Sequence, residues 1–108
     1  MYRMERVNSE IMKNLLQIIQ NMNDKRISSE IITISYVDTT PDLKLSRVGI
    51  QSKRSKEICE LLNRSKSYIR KELASKMIMK STPEVVFYED KTEETADRIE
   101  QLLKQIKN

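Results

Sequence analysis

The sequence predicts an α+β domain in which helices cover one face of a small β-sheet. Two neighbouring segments and one later segment have the β-branched and apolar content of strands, and the segments around them have apolar residues at helical spacing. One Gly and two Pro in 108 residues argue against disorder and against a turn-rich all-β chain. A chain of this length buries roughly two thirds of its unfolded surface, so we treat residues 1–108 as one domain with its own core.

The first predicted element is an amphipathic helix from Met4 to about Met22. A polar segment, NMNDKRISSE, follows it, and its Asn and Ser residues are typical of a connection. The apolar residues of the helix recur every three or four positions and would form one buried stripe: Met4, Val7, Ile11, Leu15, Ile18 and Met22.

A β-hairpin is predicted next. Ile31–Val37 is rich in β-branched residues and alternates, and DTTPD ends it because Pro41 lacks a backbone donor. Leu43–Gln51 would form the returning strand, although its apolar phase shifts midway. Gly49 in this strand has three interpretations: a bulge, a close backbone approach or merely a weak strand. The alternation of the first strand places three residues on one face: Ile32, Ile34 and Tyr36.

The segment Lys53–Met79 has helical spacing, but as a single helix it would be more than twice the usual length. Two helices are therefore predicted, with the break at Ser65-Lys66-Ser67 and a Ser at the break capping the second helix. Backbone N–H groups left over at that helix start would form an anion site. The predicted inward stripe is Leu62, Ile69, Leu73 and Met77; the predicted outward face is Arg64, Ser67, Tyr68, Lys71 and Ser75, flanked by Arg70 and Ala74.

The last two predicted elements are a strand and a closing helix. The apolar run EVVFY predicts a third strand that helices cover on one side. Thr92–Lys107 predicts the closing helix, with Thr92 as a candidate N-cap and with Glu93 and Glu94 suited to the positive end of its dipole. The predicted inward residues of this helix are Ala96, Ile99, Leu102, Leu103 and Ile106.

Positive charge is concentrated in the middle of the chain. The formal net charge is +4, but residues 53–80 carry 9 Lys+Arg and 3 Asp+Glu, while residues 81–108 carry 4 and 7. Such a concentration attracts a polyanion, although a solvated helix face would have the same composition. Tyr68 in this region could stack on an unpaired base, or could simply cover the edge of the core.

Several classes of function are disfavoured by what the chain lacks. It has no His and a single Cys, Cys59, so the common transition-metal sites, an internal disulfide and the usual neutral-pH general base are missing. The polar start MYRMERVNSE is unlike a signal peptide and no apolar run approaches the length of a membrane span, so we expect a cytoplasmic protein. We expect no cofactor and no metal, and we interpret Cys59 as a small core residue.

Four segments resemble the bacterial ribosome-binding factor A family, and the resemblance covers nearly the whole sequence. They are RVNSEI at residues 6–11, YVDTTPDLKLSRVGI at residues 36–50, LLNRSKSYIRKELASKM at residues 61–77 and TPEVVFYED at residues 82–90, followed by a closing RIEQLL. One departure lies at the helix junction, where Ser65 and Ser67 stand in place of the Ala and Gly of the family's Ala-x-Gly kink. A positive φ required at position 67 would be unfavourable for Ser.

The resemblance implies a KH-like (type II) fold of order α-β-β-α-kink-α-β with an added C-terminal helix, in which the helices pack on a three-stranded mixed sheet. It implies a non-catalytic, monomeric assembly factor that binds the immature small (30S) ribosomal subunit and its ribosomal RNA. Such a factor assists late maturation and 5′-end processing of that RNA, and it has neither a membrane nor a small-molecule substrate as partner. On this interpretation the RNA-binding residues are Arg64, Ser65, Lys66, Ser67, Arg70, Lys71, Lys76 and Lys80, with Arg3 and Arg6 as outlying contacts.

Two other functions remain open from the sequence. The basic helix could instead bind an acidic protein partner, and binding that survives ribonuclease treatment would indicate this. An enzyme is disfavoured because the chain has no His and no Gly-rich phosphate loop. The acidic residues Glu93, Glu94 and Asp97 are explained by the dipole of the closing helix.

Overall fold

A computed structural model of the chain describes residues 3–92 and 99–104. The described elements confirm the predicted order α-β-β-α-α-β and add one short helix, α2, within the polar connection. They are α1 (Met4–Gln20), α2 (Lys25–Ser28), β1 (Thr33–Thr39), β2 (Leu45–Gln51), α3 (Ser55–Arg64), α4 (Lys66–Lys76) and β3 (Glu84–Glu89). Residues 99–104 are helical as well.

The three strands form the predicted mixed sheet in the order β1-β2-β3. β1 and β2 pair antiparallel, while β2 and β3 pair parallel. A parallel pair needs a long crossover, and α3 and α4 supply it. α1 contacts β1, α3 contacts β2 and β3, and α4 contacts β3 and α1, so these helices cover one face of the sheet.

The core lies between this face and the helices. Of the predicted inward residues, the α1 stripe is buried from Val7 to Ile18, and Leu62, Ile69 and Leu73 are fully buried. Leu62 belongs to α3, so the inward stripe combines two helices. Met77 is partly buried at the end of the stripe, and Cys59 is buried as expected of a core residue.

The prediction that Tyr36 shares a face with Ile34 is wrong. Ile34 pairs with Ile50 and Tyr36 with Gly49, so Ser35 is an extra residue, a bulge in β1. The extra residue shifts the phase of the strand, because side chains alternate strictly only in a regular ladder. The residues of β1 that point inward are therefore Ile34, Val37 and Thr39, and Tyr36 is 40% exposed on the open face of the sheet.

Gly49 marks a place where a side chain, that of Tyr36, closely approaches the backbone of β2. The bulge lies in the opposite strand, β1. A Cβ built at Gly49 would lie 2.1 Å from Cε1 of Tyr36 and 2.7 Å from Oγ of Ser35. The Tyr36 ring thus occupies the space that any larger residue at position 49 would need. Gly49 is required by the bulge, because the bulge sends Tyr36 to this face.

A buried hydroxyl pair explains the shift in apolar phase along β2. Ser46 is fully buried and its hydroxyl oxygen lies 2.8 Å from that of Thr39, its partner in the ladder. A buried hydroxyl is stable when it is hydrogen-bonded, so Ser46 keeps the inward phase of Val48 and Ile50. Leu43, the nearest buried residue before Ser46, lies in the turn before β2 and has a φ of 61°.

The helix junction is made by Ser65 without the predicted side-chain cap. Ser65 ends α3 and begins α4 with φ −97° and ψ 12°, and no side-chain cap hydrogen bond forms. A capping serine normally has extended backbone, which points its hydroxyl at the next turn, and Ser65 does not. Its carbonyl instead accepts from Ile69 N at 3.0 Å, and Ser67 lies within α4, where its φ is not positive.

The prediction that the closing helix packs inward is wrong for its described part. Ile99, Leu102 and Leu103 are 52%, 57% and 53% exposed. The described helices that contact the strands are α1, α3 and α4. Thr92 donates its N–H and its hydroxyl to Asp90. The backbone N–H groups that Thr92 would cap lie outside the described residues, and so do Glu93, Glu94, Ala96, Asp97 and Ile106.

Candidate nucleic-acid interface

The basic residues predicted to bind RNA are arranged around the junction of α3 and α4. We call Arg64, Ser65, Lys66, Ser67, Arg70 and Lys71 the junction face. Ile69 and Leu73 bury one side of α4. At about 100° per residue, Lys71 lies opposite the buried side, and Ser67 and Ser75 lie on either side of Lys71. All three residues are exposed. The periodicity of α4 therefore presents Ser67, Lys71 and Ser75 to solvent.

Two cations of the junction face are available for a ligand. Arg64, the last residue of α3, and Lys71 are exposed, and neither forms an ion pair with any residue that the structure describes. Ser67 is exposed beside them, whereas Ser65 is half-buried at the junction itself. Exposed cations next to a hydroxyl are suited to phosphate oxygens.

Lys66 forms an ion pair with a residue of the sheet. Its Nζ lies 3.2 Å from Oε1 of Glu84 at the start of β3, and both side chains are about half exposed, at 49% and 48%. An ion pair this exposed contributes only about 0–1 kcal/mol. A phosphate can therefore compete with Glu84 for Lys66 at little cost.

Arg70 is positioned by the connection that precedes β3. Its Nε and Nη2 donate to the Thr82 carbonyl at 3.1 and 2.9 Å. The acceptor is neutral, so the guanidinium keeps its full charge and its other N–H groups. The contact orients Arg70 on the side of α4 nearest β3, one turn after Lys66.

The remaining predicted residues are not brought together with the junction face. Lys76 is exposed at the end of α4, about 15 Å along the helix from Lys66, and Lys80 is exposed in the following connection. Arg6 pairs with Glu10 at 3.4 Å on α1. Arg3 precedes the same helix, and at about 1.5 Å per residue it lies about 27 Å along α1 from Asn21, which is next to the junction.

A groove that the sequence interpretation missed runs beside the junction. It has a volume of about 330 Å³ and is lined by Asn21, Met22, Asn23, Asp24, Ser65 and Tyr68; we call it the Tyr68 groove. Tyr68 is 49% exposed, so about half of its side chain is accessible in this groove. Asn21 and Asn23 were not predicted because they lie in a polar connection, and only the packing of α4 against α1 places them near Tyr68.

Asp24 in this groove is neutralised by a neighbour. Its two carboxylate oxygens accept from Arg26 Nε at 3.1 Å and Nη2 at 2.8 Å, and it also accepts from the Arg26 backbone N–H as the N-cap of α2. The Arg26 hydrogen bonds hold the pKa of Asp24 below its ordinary value. The groove therefore presents no unpaired carboxylate to an anionic ligand.

The single thiol is not arranged for nucleophilic chemistry. Burial, with a smaller contribution from the Glu89 carboxylate, raises the pKa of Cys59 to about 11. The thiolate is the reactive form, so Cys59 is unreactive near neutral pH. Among the described residues there is also no group of acidic and sulfur side chains that could hold a metal ion, and no helix long and apolar enough to cross a membrane.

Comparisons with known proteins agree on one family. The sequence profile described as ribosome-binding factor A matches residues 3–103. The ribosome-binding factor A of Clostridium acetobutylicum is 37% identical over 112 residues, which cover 98% of this chain and 91% of the relative.

Solved structures show the same fold. The crystal structure of ribosome-binding factor A from Thermus thermophilus superposes with a TM-score of 0.74 at 20% identity, over 81% of this chain and 94% of that one. A homology model of the Thermus thermophilus factor, fitted into the cryo-EM map of its complex with 30S, gives a TM-score of 0.64 at 20% identity, over 77% and 90% of the two chains. The predicted α+β fold with helices on a three-stranded mixed sheet is thus the fold of these structures.

Proposed function

The chain belongs to the ribosome-binding factor A family, and we propose that it is a non-catalytic assembly factor that binds the immature small ribosomal subunit and its ribosomal RNA. The observation that carries the proposal is the family match across residues 3–103. The complex of the Thermus thermophilus factor with 30S supports the choice of partner. In the cell the protein acts in the cytoplasm, during late maturation and 5′-end processing of the small-subunit ribosomal RNA.

The junction face is the surface proposed to contact the RNA. It combines two cations without an ion pair to the described residues, one weakly paired lysine and one oriented arginine, and these supply charge without a large desolvation cost. If Arg64, Lys66, Arg70 and Lys71 each contact one phosphate of a single strand, the logarithm of affinity falls with the logarithm of salt with a slope of about −3. Lys76 and Lys80, beyond the far end of this face, and Arg3 and Arg6 at the start of α1 are proposed as outlying contacts.

Sedimentation with purified small subunits and with a whole-subunit precursor tests the proposal. A variant in which Arg64, Lys66, Arg70 and Lys71 are all changed to Glu runs beside the wild type, and circular dichroism checks that it is folded. A matched control changes four exposed cations elsewhere, Lys13, Lys44, Arg47 and Lys91, to Glu, which produces the same change in net charge.

We expect the wild type and the control variant to co-sediment with the subunit, and the junction-face variant to remain in the supernatant. Equal loss in both variants would show that net charge, rather than this face, carries the binding. No co-sedimentation of the wild type at low salt would overturn the proposed function. A partner that remains bound after ribonuclease treatment would instead favour the acidic-protein alternative.

A further inference from the structure

We propose that the Tyr68 groove takes one unpaired base of the bound RNA, while the cations at the rim of the groove hold the phosphates beside it. This inference rests on the proposed function and assigns a base-binding role to residues outside the junction face. It begins from the volume of about 330 Å³, which is at the lower end for pockets that hold small organic molecules.

Tyr68 supplies a surface for stacking. Its side chain lines the groove and is 49% exposed, so part of it is accessible to a planar ligand. Stacking of a base on an aromatic side chain is tolerant of sequence because every base has a π-face. Met22, which is partly buried, supplies an apolar contact in the same groove.

Asn21 and Asn23 supply hydrogen-bonding groups for the edge of the base. Each amide offers two donors and an acceptor, so it can meet the mixed donors and acceptors of a base edge. Within the described part of the chain, neither side-chain amide makes a hydrogen bond, and both residues are exposed. The groove therefore combines a stacking surface on α4 with unpaired amides at the end of α1.

The charge around the groove favours a nucleotide over an acidic peptide side chain. Asp24 is held by Arg26 through both carboxylate oxygens and repels an anion little. Arg64 precedes the lining residue Ser65, and Lys25 follows Asp24; both are exposed. These cations suit a phosphate at the rim, whereas the aromatic and amide groups inside suit a neutral planar base.

The open face of the sheet offers a matched control. Tyr36 and Tyr88 lie on that face at the two sides of Gly49 and are 40% and 45% exposed, close to the value for Tyr68. Asp38 and Glu84 accompany Arg47 on the exposed side of the strands, so positive charge is not concentrated there. Tyr88→Ala therefore removes an equally exposed ring from a surface that should not bind RNA.

Nuclear magnetic resonance with small probes tests the groove directly. Adenosine, cytidine, guanosine and uridine 5′-monophosphates are titrated into the full chain, with ribose 5-phosphate as the probe that lacks a base. We expect the base-containing probes to shift the side-chain amide signals of Asn21 and Asn23 and the ring signals of Tyr68, and ribose 5-phosphate to leave them unchanged. Equal shifts with ribose 5-phosphate would overturn the inference, because the groove would then bind phosphate.

Affinity for a single-stranded oligoribonucleotide gives a second readout. We expect Tyr68→Ala to weaken binding roughly 5- to 150-fold with an unchanged salt slope, since no phosphate contact is lost. Tyr68→Phe should retain binding because it retains the ring, and Tyr88→Ala should match the wild type. Wild-type affinity in Tyr68→Ala, with subunit binding intact, would remove the inference and leave the proposed function standing. Base-specific shifts without any subunit binding would support the groove as a base site and overturn the proposed function.

Discussion

The side-chain amide of Asn63 forms two hydrogen bonds with the backbone of Phe87. Its Nδ2 donates to the Phe87 carbonyl at 3.0 Å, and the Phe87 N–H donates to its Oδ1 at 2.9 Å. Within the described sheet, β3 borders β2 alone, so one side of its backbone has no strand partner. Asn63 supplies that partner and ties the end of α3 to the sheet, one residue before Arg64. The junction face is thereby held against the edge of β3.

Asn63→Ala should lower the free energy of unfolding by about 1–3 kcal/mol, because a partly buried N–H and C=O both lose their partner. Urea denaturation measures this loss. Asn14→Ala is the control: Asn14 also lies in a helix, but its side chain donates only to the exposed Glu10 carbonyl, so its loss should be within about 0.5 kcal/mol. Equal losses of unfolding free energy in the two variants would show that the hydrogen bonds between Asn63 and Phe87 contribute nothing.

Gly49→Ala should destabilise the wild-type protein by about 1–3 kcal/mol, since the new Cβ would overlap the Tyr36 ring and the ring must move. In a Tyr36→Ala background the same change should cost less, because only the Ser35 hydroxyl, 2.7 Å from the new Cβ, must still rotate away, and because Gly within a strand costs about 0.5–1 kcal/mol relative to Ala. The double-mutant cycle, measured by urea unfolding, reports the coupling. A coupling near zero would contradict the close approach.

Glu84→Gln should strengthen binding to small-subunit RNA, because it releases Lys66 from its ion pair. The salt slope should stay near about −3, because Lys66 is already one of the four proposed phosphate contacts. The change in stability should stay within about 1 kcal/mol, as for other exposed pairs. Glu60→Gln, an exposed carboxylate with no ion pair among the described residues, serves as control. Identical effects of both changes would point to a general charge effect.

Cys59 should make the protein less stable at alkaline pH. Burial raises the folded pKa to about 11 from the ordinary 9.0, so below pH 9.0 the thiol is protonated in both states and its contribution is fully present. Between pH 9.0 and 11 the unfolded thiol ionises and the folded one does not, so stability falls by at most about 1.4 kcal/mol per pH unit. Unfolding midpoints of the wild type and Cys59→Ala, compared at rising pH, should therefore converge. Parallel curves would refute the buried thiol.

Local patterns were sufficient for the elements that the spacing of their own apolar residues identifies. The α1 stripe, the third strand and the break near Ser65 follow from periodicity and helix length, both of which are local properties. The basic face of α4 follows in the same way, because burial of Ile69 and Leu73 determines which residues face outward. The sequence could not predict the bulge at Ser35, since a bulge depends on the pairing of two strands.

The sequence by itself determined the α+β class, the order of the elements and the concentration of positive charge around the junction. Tertiary structure alone decided that Tyr36 lies over Gly49, that Asn63 covers the edge of β3 and that Asn21 lies beside Tyr68. It also left Ile99, Leu102 and Leu103 exposed, against the amphipathic pattern. Periodicity states which side chains favour burial, but which surface is still available to bury them depends on how the distant elements have already packed.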